Sequence, residues 1–68
     1  MDLKQYRINK LLTQTQLAEA CGCDRSMIGK IEAGDTKPSV RLAKRIADIL
    51  GFDWTLFYED VKTGQKGA

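Results

Sequence analysis

Thr13, Asp24, Ser39 and Asp53 each stand immediately before an apolar-periodic run, and Gly22, Gly34 and Gly51 each stand at the end of one. Short polar side chains in the first position accept hydrogen bonds from the free amides of a helix's first turn, and glycine past the last turn ends it. This punctuation cuts the chain into short helices. The first runs from Leu3 to about Lys10 and the second from near Gln14 to the stop at Gly22. The third is capped by Asp24 and reaches Ala33, the fourth is capped by Ser39 and reaches Leu50, and the last is capped by Asp53 and ends near Val61. Thr13 and Gln16 have capping-box spacing, and the pairs Leu12/Leu17, Cys23/Ile28 and Phe52/Phe57 are placed as hydrophobic staples. Pro38 bars a helix from running through the third connection. No segment alternates as a strand does, so the expected fold is all-α with five helices.

The apolar spacing names a core. Leu17, Ala18 and Cys21 share one face of the second helix, and Ile28 and Ile31 one face of the third. Val40, Ala43, Ala47 and Leu50 follow on the fourth, and Trp54, Phe57, Tyr58 and Val61 on the fifth. Residues 1–61 then form one small domain, and residues 62–68 read as a flexible tail.

What is missing narrows the chemistry. The 68 residues contain no histidine, which removes the commonest general base and metal ligand. No Cys or Ser stands beside a plausible base, so no nucleophile–base pair can be named and an enzyme is not expected. Cys21 and Cys23 are two short of a tetrahedral zinc set. Residues two apart also give a disulfide poor geometry. Both thiols are read as small packing groups, and no metal, cofactor or small-molecule ligand is expected. The chain opens Met-Asp-Leu-Lys with no apolar signal segment and carries no membrane-length apolar run, so a cytoplasmic protein without membrane contact is expected. Charge is uneven along it. Residues 25–45 carry Arg25, Lys30, Lys37, Arg41, Lys44 and Arg45 against Glu32 and Asp35, whereas residues 46–61 carry four acids and no base. A basic middle suits an anionic polymer.

Gly22-Cys23-Asp24 is a three-residue turn between two short helices, the helix-turn-helix pattern. Gly22 supplies the left-handed conformation that ends the first of them. On the second, Ile28 and Ile31 point inward, while Arg25, Ser26, Gly29, Lys30 and Ala33 form a flat outer face. Gly29 inside a helix costs about 1 kcal/mol relative to Ala. A flat stripe would let the helix lie deep in the DNA major groove, with Arg25 in its first turn reaching base edges.

The segments "TQTQLAEACG", "SMIGKIEAG", "KPS" and "RIADILGF" resemble the phage repressor and Cro-type helix-turn-helix domains, the XRE family, and the resemblance runs from Leu3 to about Tyr58. It implies a lambda-repressor-like five-helix domain and a sequence-specific transcriptional regulator, a repressor, that binds double-stranded DNA as a homodimer on a palindromic operator. It assigns base contacts to Arg25, Ser26 and Lys30. It assigns phosphate contacts to Gln14 through the helix end and to Lys37, Ser39 and Arg41 around the next loop. It implies a structural salt bridge between Arg7 and Glu32. Two departures stand out: Leu11 occupies a place where the family often has glycine, which predicts a strained backbone or a different loop, and Cys21 and Cys23 replace larger aliphatics. Leu42, Ile49 and Leu56 lie off the core stripes, where the family usually has smaller or polar residues, and are expected at the dimer interface. An antitoxin-type or other protein-binding module built on the same fold remains the alternative, because fold alone does not fix function.

Overall fold

The computed structural model describes residues 2–58. It contains α1 (Leu3–Asn9), α2 (Gln14–Cys21), α3 (Arg25–Ala33) and α4 (Val40–Leu50), and residues 56–58 are helical again where the description ends. Among the described residues there is no strand. The fold is the all-α, lambda-repressor-like helix-turn-helix arrangement. The expected end of the last helix near Val61, the Val61 packing position and the tail 62–68 lie outside the described residues.

The caps explain the boundaries. At α2, the Thr13 side chain accepts from Gln16 N at 3.0 Å, and Gln16 Oε1 accepts from Thr13 N at 2.9 Å, both halves of a capping box. Ser39 Oγ accepts from Leu42 N at 3.2 Å at the start of α4. Asp2, outside the expected set of caps, accepts from Gln5 N and caps α1. Asp24 does occupy the N-cap of α3, but its side chain makes no capping hydrogen bond, which corrects the role expected of it. Asp53 also caps in a shortened way: its carboxylate accepts from Thr55 N at 3.0 Å and Thr55 Oγ1 at 2.8 Å, holding its pKa below the usual value through those two bonds, the amide first. The following turn uses tight bonds from Leu56, Phe57 and Tyr58 to residues three back, so helix begins at 56 rather than directly after Asp53.

The core gathers Leu3, Leu17, Ala18, Cys21, Ile28, Ile31, Ala43, Ile46, Leu50 and Phe57. One core assignment is corrected. Val40 is 49 % exposed, and the buried stripe of α4 is Ala43, Ile46, Ala47 and Leu50. That set has the i, i+3, i+4, i+7 spacing of a helix face, and it includes the fully buried Ile46 in place of Val40. Phe52 packs between Tyr6, tilted at a centroid distance of 4.6 Å, and Phe57, edge-to-face at 5.5 Å, tying α1 to the C-terminal segment. Tyr58 Oη donates to Pro38 O at 2.8 Å and Lys37 Nζ to Phe57 O at 3.2 Å, so the loop before α4 is held by that same segment. Leu11 has φ 60° and is 89 % exposed, a left-handed L-residue with no packing to offset it.

Candidate nucleic-acid interface

The turn between α2 and α3 is fixed from two sides. Gly22 has φ 76°, and with Cys23 it closes the end of α2 through bonds from Gly22 N to Glu19 O and Cys23 N to Ala18 O. From α4, Arg45 Nη1 donates to Cys21 O at 3.0 Å, satisfying a carbonyl that the helix end leaves free. The Arg45 guanidinium lies 3.2 Å from where a Cβ on Gly22 would sit, a second reason for glycine there. Nothing in the spacing of the sequence points to Arg45. The two thiols lie under this turn, Cys21 buried and Cys23 half-buried, both unpaired. Burial, reinforced by the nearby Cys23, pushes the Cys21 thiol up to about 11 despite the opposing Arg45 charge, and burial also raises Cys23. Neutral thiols are poor metal ligands and poor nucleophiles.

α3 presents two faces. Ile28 and Ile31 are in the core, while Arg25, Ser26 and Lys30 are exposed and Gly29 is half-buried. A Cβ on Gly29 would find one neighbour, Gln14 Nε2, at an ordinary 3.8 Å. The protein's own packing therefore does not demand glycine here. Met27, 36 % exposed, stands on the solvent side of the same helix, and no sequence signal set it apart.

Gln14, Arg7 and Glu32 come together beside that face. Arg7 Nε donates to Glu32 Oε2 at 2.7 Å, with the two side chains 10 % and 8 % exposed. Arg7 Nη1 also donates to Leu12 O at 2.7 Å, which anchors the loop ahead of α2. Gln14 Nε2 donates to Glu32 Oε1 at 3.0 Å, and Arg25 Nη1 donates to Gln14 Oε1 at 3.4 Å. The sequence carries no signal for these last two links.

The remaining positions are distributed around the site. Ser39 and Arg41 are exposed at the start of α4, and Arg41 borders a concavity shared with Cys21, Gly22, Cys23, Leu42 and Arg45. Lys37 is exposed in the preceding loop, with its ammonium near Phe57 O. Leu42 and Ile49 are half-buried and pack against the core rather than standing free. Leu56, half-buried, lines an apolar groove with Asp2, Gln5, Tyr6 and Asn9. Among the described residues, no three His, Cys, Asp or Glu side chains gather as a metal site, and no helix is long and apolar enough to cross a membrane.

Comparison with known proteins agrees with this geometry. A helix-turn-helix family model matches residues 3–57. An uncharacterized HTH-type transcriptional regulator of Bacillus subtilis (strain 168), YqaF, is 48 % identical over 59 residues, covering 87 % of this chain and 78 % of that protein. A second uncharacterized HTH-type transcriptional regulator, MJ0272 of Methanocaldococcus jannaschii, is 42 % identical over 60 residues, covering 85 % of this chain and 91 % of its own. No solved structure matches the chain.

Proposed function

The chain belongs to the helix-turn-helix family of DNA-binding transcription regulators, and from that premise we propose that it is a cytoplasmic repressor that binds a palindromic operator as a homodimer. The observation that carries this reading is the two-faced α3: Ile28 and Ile31 sit in the core while Arg25, Ser26 and Lys30 stand exposed on the other side. α3 enters the major groove, where Arg25 makes a bidentate contact to guanine O6 and N7 and Ser26 and Lys30 meet neighbouring base edges. Gly29 allows the helix backbone to approach closely. The first amides of α2 at Gln14, together with Lys37, Ser39 and Arg41, grip phosphates and set the register without reading sequence. Leu56, which lines the groove beside Tyr6, is assigned to the dimer contact together with the half-buried Leu42 and Ile49.

Selection from random duplexes supplies the operator, and titration then separates reading from gripping. Arg25→Ala is expected to lose about 1–3 kcal/mol of discrimination at one base pair of each half-site. Arg41→Ala is expected to weaken operator and scrambled DNA alike and to flatten the log–log salt slope by about 0.9 for each phosphate no longer neutralised. In a dimer each effect recurs at half-sites about 34 Å apart. Equal weakening on both duplexes for Arg25→Ala refutes the assignment of the reading face.

A further inference from the structure

The loop that leads from α3 into α4 has little backbone support. Gly34 N and Asp35 N bond back to Ile31 O and Lys30 O, and the next backbone bond along the chain is Ala43 N to Ser39 O. Among the described residues, 36–38 enter no backbone–backbone hydrogen bond. Two side-chain bonds tie this stretch down, and both join it to the C-terminal segment. Lys37 Nζ donates to Phe57 O at 3.2 Å, and Tyr58 Oη donates to Pro38 O at 2.8 Å. The Tyr58 ring is itself held in place. It meets Trp54 edge-to-face at a centroid distance of 5.9 Å, and Lys44 Nζ of α4 lies 5.1 Å over the Trp54 ring. Phe57, the residue before it, is in the core.

The bond to Pro38 O falls on a sensitive torsion. Proline locks its own φ near about −65°, so ψ is the soft torsion left to Pro38. The Pro38 carbonyl and the Ser39 amide share one peptide plane, and holding the carbonyl therefore fixes ψ and the heading of the chain into α4. Pro38 is buried, so its carbonyl also needs a protein donor. The groups proposed to meet phosphate come directly after it. Ser39 Oγ accepts from Leu42 N at 3.2 Å, which leaves its hydroxyl proton to donate. The Val40 and Arg41 amides in the first turn make no backbone bond among the described residues, and the Arg41 side chain is exposed beside them. A change of ψ at Pro38 swings all of these donors together.

We infer that Tyr58 is a positioning residue for the phosphate grip: its hydroxyl, through Pro38 O, aims the start of α4 at the DNA backbone. This deepens the proposed phosphate contacts of Ser39 and Arg41 and rests on them. The donors reach the phosphate already aligned, so their ordering does not count against the complex, an effect of about 2- to 12-fold in affinity for one such group. Phosphates carry no sequence information, so Tyr58 governs how tightly the protein holds DNA and not which sequence it prefers.

The test uses the full chain, its selected operator and a scrambled duplex, well below the melting temperature. Tyr58→Phe keeps the ring against Trp54 and removes only the hydroxyl. It is expected to weaken both duplexes alike, about 2- to 12-fold, with every base preference unchanged. Amide hydrogen exchange of the free protein is expected to speed up at Thr36, Lys37 and Ser39 while the core amides of α4 exchange as before. In an Arg41→Ala background Tyr58→Phe is expected to cost less than in the wild type, since part of its effect passes through Arg41. If Tyr58→Phe lowers the melting temperature but leaves both duplexes bound as before, the hydroxyl is structural only and the positioning role is overturned. It is overturned as well if binding weakens with loop exchange unchanged, which makes the hydroxyl itself a DNA contact. If Arg41→Ala leaves scrambled binding and the salt slope intact, the phosphate grip is misplaced. Both proposals then fall, by a result separate from those of Tyr58→Phe.

Discussion

Gly29→Ala separates two reasons for a glycine in the middle of a recognition helix. If glycine serves only the protein's own packing, replacing it should strain the fold. The structure argues otherwise, because an added Cβ meets one heavy atom, Gln14 Nε2, at 3.8 Å. That is ordinary contact, so alanine fits without displacing the amide. Alanine is also the better helix former by about 0.8–1.0 kcal/mol. For a domain of this size that gain corresponds to a melting temperature higher by about 4–8 °C. On DNA the sign reverses. A methyl inserted where backbone lies close to base edges costs about 1–3 kcal/mol, as overpacking a close-fitting interface does, which is roughly a 5- to 150-fold weaker Kd. Thermal melting by circular dichroism and fluorescence titration on operator DNA measure the two effects independently. The expected outcome is a more stable protein that binds less well. Unchanged or tighter operator binding refutes the close approach of α3, and a lowered melting temperature refutes the claim that the site tolerates a Cβ.

Four further outcomes are expected from the same geometry. Arg7→Met leaves Glu32, 8 % exposed, without its cation and Leu12 O without its donor. The expected loss of stability is about 3–5 kcal/mol in a urea melt, a large share of a small domain's total, and a loss below about 1 kcal/mol would contradict the reading. Leu11→Gly relieves a left-handed residue that packs on nothing, and a net gain of up to about 1 kcal/mol is expected after the entropy glycine adds to the unfolded chain; destabilisation would show that the leucine is held by contacts of its own. Cys21 ionises near 9.0 when exposed and at about 11 when folded, so the folded state binds its proton more tightly. Stability should therefore be flat in this respect below pH 9 and fall as pH rises from 9 to 11, and Cys21→Ala should flatten that fall; an unchanged alkaline limb in the variant rules the thiol out as its cause. Leu56→Glu places a charge in the groove beside Tyr6 and should shift sedimentation at tens of micromolar towards the monomer; a wild-type chain that is already monomeric there removes the proposed dimer.

How much of this is legible depends on the distance along the chain over which each feature is decided. Caps and stops are settled within three or four residues, so Thr13 with Gln16, Ser39, Gly22, Gly34 and Gly51 locate the helix ends from sequence alone. Even there, spacing gives the place and not the bond: Asp24 holds the N-cap of α3 without using its side chain. Periodicity finds the buried face of each helix but not where burial begins, which is why Val40, in the first position of α4, stands exposed although it continues the stripe that is buried from Ala43 onward. A strained backbone at Leu11 is one of two outcomes the sequence leaves open, and the φ of 60° selects it. The Arg7–Glu32 pairing comes from resemblance to a family, because no local rule connects residues 25 apart. What only the tertiary structure decides is the set of links between helices. Arg45 reaches back to Cys21 O, Tyr58 reaches Pro38 O, and Gln14 joins Glu32 to Arg25. Long polar side chains have several rotamers of similar energy in the free helix, and the neighbouring helix chooses among them. The sequence can therefore place Gln14 at a helix end and Arg25 on an outer face, but only the packing of α2 on α3 brings the amide of one to the guanidinium of the other.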